Sequence, residues 1–153
     1  MNGRAAHGSR RNALTRLAAW SGLILAWPVS GQAQSPGTCS SPDDRRWIEA
    51  AFAMKHLAES WGDQSYGAVL VIDGTLAGEG PSRVVQRGDP DAHAEREAIN
   101  DAQKRLGRSD LTGAVLYSTS RPCDRCEQAA AEARVARMIY GADTRDAGPP
   151  VRR

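Results

Sequence analysis

The chain has 153 residues, with 20 Lys+Arg against 18 Asp+Glu and three cysteines. That length suits one domain with a real hydrophobic core. The near balance of charge argues against the broad basic surface of a protein that grips a phosphate backbone, and the odd cysteine count argues against a disulfide framework.

Residues 1–33 carry Arg4, Arg10, Arg11 and Arg16 and no acid, then the apolar run Leu17–Trp27, then Pro28 and small residues up to Ala33. A basic start, a short apolar centre and a small-residue exit are the parts of a secretory signal peptide. The apolar run falls short of the roughly 20 residues of a membrane span. The expectation is an exported, periplasmic protein with no stable membrane span. The alternatives are an uncleaved anchor, or a cytoplasmic protein whose leader does not function. Ser9-Arg10-Arg11-Asn12-Ala13-Leu14 resembles a twin-arginine export motif, although Ala13 stands where a larger apolar residue is usual. Two arginines in an ordinary charged leader are the plainer reading. Without the four leader arginines, 16 basic residues face 18 acids, a formal charge of −2. A linker rich in Ser, Pro and Gly occupies 34–40 and holds Cys39, which reads as an unpaired thiol without function.

The domain is expected over 41–145. Ser41-Pro42-Asp43-Asp44 is a helix start: a serine cap, proline at the first helical position and acids at the positive end of the dipole. Trp47, Ala51, Met54, Ala58 and Trp61 follow at helical spacing and predict a core-facing stripe up to Gly62. Ala68–Ile72 is continuously apolar, so it reads as a strand buried on both faces. Asp73-Gly74 is a tight-turn dipeptide, and Thr75–Glu79 returns antiparallel, weakened or bulged by Gly78 and Gly80. The polar stretch 81–90 reads as loop. Asp91 is the expected cap of a second helix ending near Leu106, with Gly107 as its stop. Ala114–Thr119 predicts a strand, Cys123 opens a third helix, and Val135–Tyr140 is one more strand. Residues from Arg145 onward read as a frayed tail, flexible over 146–153. Strands alternating with helices imply an α/β domain with at least partly parallel pairing.

One constellation carries chemistry. His93-Ala94-Glu95 is followed, thirty positions after the histidine, by Pro122-Cys123-Asp124-Arg125-Cys126. One imidazole and two thiolates are three ligands for zinc and leave the fourth tetrahedral position for water. The cysteines stand at i and i+3, which puts both on one side of a helix start, where the dipole favours thiolates. Zinc brings the pKa of its water toward about 7, and Glu95 is the carboxylate that moves that water's protons. In a regular helix, residues at i and i+2 do not share a face. His93 and Glu95 therefore converge only if the site lies off the helix end. The competing readings are a C-x-x-C redox pair and a structural zinc. The latter needs a fourth protein ligand, and past the leader the only other histidine is His56 and the only spare thiol Cys39.

The pattern H-x-E…P-C-x-x-C is the signature of zinc-dependent nucleobase deaminases. From about Trp47 to Ala142 the chain resembles the cytidine and deoxycytidylate deaminase superfamily, and within it the bacterial tRNA adenosine deaminases and guanine deaminases. Gly67–Gly74, Gly78-Glu79-Gly80, Asp89–Glu95, Arg105-Leu106-Gly107 and Ile139–Ala142 share in that resemblance. It implies a mixed sheet of four to five strands flanked by helices, zinc on His93, Cys123 and Cys126, and Glu95 as proton shuttle. Ser82 stands where relatives commonly have an asparagine that contacts base or ribose, and Arg121 stands where an acid is usual. These two are the candidate substrate contacts. The end of the chain is short of the C-terminal helices of such relatives. The expected pocket is therefore open, completed by a second copy in a homodimer, or degenerate. The implied activity is deamination of a small-molecule base or nucleoside, of guanine or cytosine type. The alternatives are tRNA adenosine deamination and an inert zinc-binding relative, and nucleic acid is the less favoured partner.

Overall fold

A computed structural model describes residues 41–152; the leader, the linker and Cys39 lie outside the described residues. Helix α1 spans Pro42–Ser60. Its start is a reciprocal capping box: the Ser41 hydroxyl accepts from the Asp44 N–H at 3.0 Å, and the Ser41 N–H donates to the Asp44 carboxylate at 3.2 Å. Gly62, at φ 74°, lets the chain leave the helix. Strands β1 (Gly67–Ile72) and β2 (Thr75–Pro81) form an antiparallel hairpin. Asp73 and Gly74 both have positive φ, as a two-residue turn matched to strand twist requires.

After β2 come a one-turn helix α2 (Val84–Arg87), α3 (Ala94–Leu106), β3 (Val115–Ser118), α4 (Asp124–Glu132), β4 (Arg137–Tyr140) and β5 (Arg145–Gly148). The five strands form one mixed sheet in the order β2-β1-β3-β4-β5. Only β3 and β4 run parallel. Successive strand residues face opposite sides, and each side has its own core. Ala68, Leu70, Leu116 and Met138 pack with Ala94, Ala98 and Ala102 of α3 and Ala130 of α4. Val69, Val71, Tyr117 and Ile139 pack with Ile48 and Ala51 of α1. Buried on both faces, β1 is as its apolar run predicts. Among the described residues no helix is long and apolar enough to cross a membrane.

Three features differ from expectation. The stretch 81–90 contains α2, which has no apolar periodicity and is held from outside by Asp63. Asp91 is not the cap of α3; His93 is. The Asp91 N–H turns back onto the Asp89 carboxylate at 2.8 Å, and the Asp91 carboxylate accepts from Arg125 at 2.7 Å, so the helix starts two residues later. The expected tail contains β5, an exposed edge strand without alternating apolar residues, tied to β4 by the Arg137–Asp146 ion pair at 2.9 Å. The hairpin carries the bulge expected of β2, with Leu70 opposite Gly78 and Val71 opposite Leu76, so Ala77 is the extra residue. Gly78 and Gly80 themselves serve a close approach of α3. A Cβ on Gly80 would lie 2.0 Å from the Ala94 carbonyl oxygen, and one on Gly78 2.2 Å from that of Ala98.

Candidate active site

The site forms where two helix starts meet. His93 is the N-cap of α3 and Cys123 the N-cap of α4, both extended in backbone and neither capping its own helix through its side chain. Their carbonyls accept the first helical bonds, from the Glu97 N–H at 2.9 Å and the Glu127 N–H at 2.8 Å. The two side chains turn instead toward a common point. His93 Nδ1 lies 3.6 Å from Cys123 Sγ and 3.4 Å from Cys126 Sγ. All three donor atoms fall within 4.8 Å of one another.

These separations fit a zinc ion. Zn–N near 2.0 Å and Zn–S near 2.3 Å at a tetrahedral angle require N···S of about 3.6 Å. The chemistry of the donors fits as well, one borderline nitrogen and two soft sulfurs at helix starts that favour anions. Among the described residues no fourth protein donor joins them. His56, the other histidine there, is exposed and bonds Glu59 at 2.9 Å. A group of three donors leaves a corner open, as a catalytic site needs. Replacing Cys123 with alanine is expected to reduce zinc from one per chain to a small fraction of that after dialysis, read by atomic absorption. Unchanged zinc content would remove Cys123 from the donor set.

Glu95, the second residue of α3, is buried, and its Oε2 lies 3.5 Å from Cys126 Sγ. Burial pushes its carboxyl above the usual range, opposed by its own backbone N–H, by Cys126 and by the charge of His93. Burial likewise pushes the Cys126 thiol up, and the Glu95 charge adds to it. Because His93 is a cap rather than a helical residue, it and Glu95 reach the same point despite their i, i+2 spacing. That is the convergence off the helix end that the sequence demands.

A cleft of about 390 Å³ opens onto these groups. His93, Ala94, Glu95 and Cys123 form its reactive end, and Gln64, Tyr66, Ser120 and Arg121 form its walls. Antiparallel pairing brings the walls together: the Thr119 N–H donates to the Gly67 carbonyl at 2.9 Å, so the entry to β1 lies beside the exit of β3. Of the two candidate substrate contacts, Arg121 lines the cleft. Ser82 does not: it is fully buried, and its hydroxyl donates to the Asp63 carboxylate at 2.9 Å. That corrects its expected contact with base or ribose. A smaller hollow of about 290 Å³ beside α3 and α4 reaches none of the three metal donors.

Sequence reasoning overlooked Gln64, Tyr66 and Asp63. Asp63 joins three segments, accepting from the Gln64 N–H at 2.7 Å, the Ser82 hydroxyl at 2.9 Å and the Gln86 N–H at 2.8 Å. It thus caps α2 from another part of the chain and steadies the wall that holds Gln64 and Tyr66. Its burial opposes ionisation, but the Gln86, Gln64 and Ser82 donors outweigh it and hold the carboxyl below its usual range. Asp63→Asn is expected to destabilise the domain by about 2–3 kcal/mol at pH 7, read by chemical denaturation. A depressed folded pKa adds stability that is present above the unfolded pKa of about 3.9 and lost as pH falls through the folded value. The difference between the two proteins should therefore close in acid below about pH 4; a gap that persists there would deny the carboxylate this role.

The family model for the cytidine and deoxycytidylate deaminase zinc-binding region matches residues 41–142. A tRNA-specific adenosine deaminase of Buchnera aphidicola subsp. Schizaphis graminum is 32% identical over 103 residues, 67% of this chain and 68% of that protein. The guanine deaminase of Bacillus subtilis is 42% identical over 82 residues, 54% of this chain and 53% of that protein. Among solved structures, one from work on A-to-I editing by tRNA:A34 deaminases superposes with a TM-score of 0.61 at 36% identity, covering 63% of this chain and 70% of the other. The Bacillus subtilis guanine deaminase structure gives 0.61 at 35% identity, covering 63% and 62%.

Proposed function

Because this chain belongs to the cytidine and deoxycytidylate deaminase family, we propose that it deaminates a nucleobase or nucleoside hydrolytically, with guanine and cytosine types as the preferred substrates. Water replaces the exocyclic amine, so the ring carbon gains a carbonyl oxygen and ammonia leaves. The observation that carries this reading is the meeting of one imidazole, two thiols and a buried carboxyl at one end of a cleft. His93, Cys123 and Cys126 hold zinc, which when bound supplies the Lewis acidity that makes hydroxide available near neutral pH.

Glu95 is the proton carrier. Its carboxylate takes one proton from the attacking water and gives it to the ring nitrogen, then takes the remaining proton from the added hydroxyl and delivers it to the departing amine as the carbonyl forms. A carboxyl whose proton affinity is raised by burial suits both halves of that task. The walls supply positioning: the Tyr66 ring offers a face for the heterocycle and the Gln64 amide offers both a donor and an acceptor. A relative named as a guanine deaminase and the acidic balance of residues 34–153 favour a small-molecule substrate.

Several relatives are named as tRNA-specific adenosine deaminases, which supports tRNA adenosine deamination as the second reading. Ammonia release from a panel of bases, nucleosides and nucleotides is the expected result. Inosine in a tRNA anticodon loop, with no small-molecule turnover, would replace the first reading by the second. One zinc per chain with neither activity would leave an inert relative of the family. The composition of 1–33 further supports export to the periplasm, and a periplasmic chain beginning near residue 34 is the expected product. A cytoplasmic chain that keeps Met1 would overturn export.

A further inference from the structure

This inference rests on the deaminase reading and names the substrate class more closely. Arg121 lines the cleft, is exposed, and has no carboxylate partner among the described residues. Three other arginines near the site are committed, while Arg96 of α3 faces the smaller hollow and not the cleft. Arg87 and Arg83 hold the buried Glu97, at 2.7 and 3.5 Å, and Arg125 holds Asp91 at 2.7 Å. The remaining wall groups, Gln64, Tyr66 and Ser120, are neutral. Two thiolates offset a divalent cation, so the reactive end carries only the Glu95 charge, and Arg121 is the uncompensated cation of the wall. We propose that Arg121 makes this site select amine-bearing heterocycles that also carry an oxyanion, a phosphomonoester or a carboxylate, over neutral ones.

The geometry suits that role. Arg121 precedes Cys123 by two residues, so their Cα atoms lie within about 7 Å. A ring held at the metal donors and an anion held by the guanidinium thus belong to one small molecule. A cleft of about 390 Å³ sits within the range of sites for ligands larger than a single ring. The planar guanidinium fork matches phosphate and carboxylate oxygens in pairs.

The test uses the zinc-loaded chain and matched substrate pairs. One arm compares a nucleoside with its 5′-monophosphate; the other compares an aminated heterocycle with and without a ring carboxylate. The anionic-to-neutral ratio of kcat/KM is expected to exceed one in at least one arm, which also identifies the oxyanion. It should fall roughly 5- to 50-fold in Arg121→Ala, recover in part in Arg121→Lys, and shrink in the parent chain as salt rises. The salt series holds even if Arg121→Ala fails to load zinc. A parent that prefers neutral members, a ratio insensitive to salt, or a ratio unmoved in a zinc-loaded Arg121→Ala overturns the inference and leaves the deaminase reading standing. No ammonia from any member of the panel overturns both.

Discussion

Glu95→Gln is expected to retain one zinc per chain and lose roughly 10²–10⁴-fold in turnover, the span set by a positioned general acid–base group. The amide nearly matches the carboxyl in shape, so the packing of α3 survives, but it can neither accept a proton from water nor return one. The readouts are ammonia release beside metal content and melting temperature. Turnover within about threefold of the parent would refute the role of Glu95. Loss of zinc together with activity would instead mean that Glu95 supports the donor set. Removal of the carboxylate charge beside Cys126 should, if anything, ease ionisation of that thiol. The metal is therefore not expected to leave with the charge.

The second large effect comes from a residue outside the cleft. Gly80 lies on β2, and a Cβ there would sit 2.0 Å from the Ala94 carbonyl oxygen and 2.4 Å from the Ala98 nitrogen. Both atoms are helix backbone and cannot swing aside, so Gly80→Ala must push α3 off the sheet. Overpacking of this kind costs about 1–3 kcal/mol and at times more, and a backbone clash belongs at the upper end. Ala94 sits between His93 and Glu95, so the same displacement should weaken zinc retention and turnover. A melting temperature lower by roughly 10 °C is expected. Gly74→Ala is the comparison: its Cβ would meet nothing within 4 Å, and only the positive φ of 69° opposes it, a cost of about 1–2 kcal/mol with turnover kept. If Gly80→Ala melts no lower than Gly74→Ala, the close approach of α3 is not what the glycine serves.

These two residues illustrate what the sequence made legible. The zinc donors were readable because ligand chemistry demands particular residue types at short spacings; the start of α1 was readable from capping chemistry at Ser41 and the end of α3 from Gly107 as a stop, whereas the start of α3 was not, because Asp91 is drawn to Arg125. The buried strands were readable because both faces of the sheet are covered, which leaves a continuous apolar run at Ala68–Ile72. What escaped depends on partners distant in the chain. Asp63 reads as an ordinary loop acid until Ser82 and Gln86 meet it. Ser82 looks like a substrate contact until that bond removes it from the cleft. Gln64 and Tyr66 join Arg121 only through the pairing of β1 with β3. Strand β5 is an exposed edge held by an ion pair, so it has no apolar signal to read.

The helix starts at His93 and Cys123 have no side-chain caps of their own. An ion gripped by both would act as a shared clasp between them, and the free energy of binding it would count toward folding. Persistence of the domain then depends on supply: where the ion is scarce, the first turns of α3 and α4 fray, proteases gain entry, and scarcity removes the polypeptide as well as its catalysis.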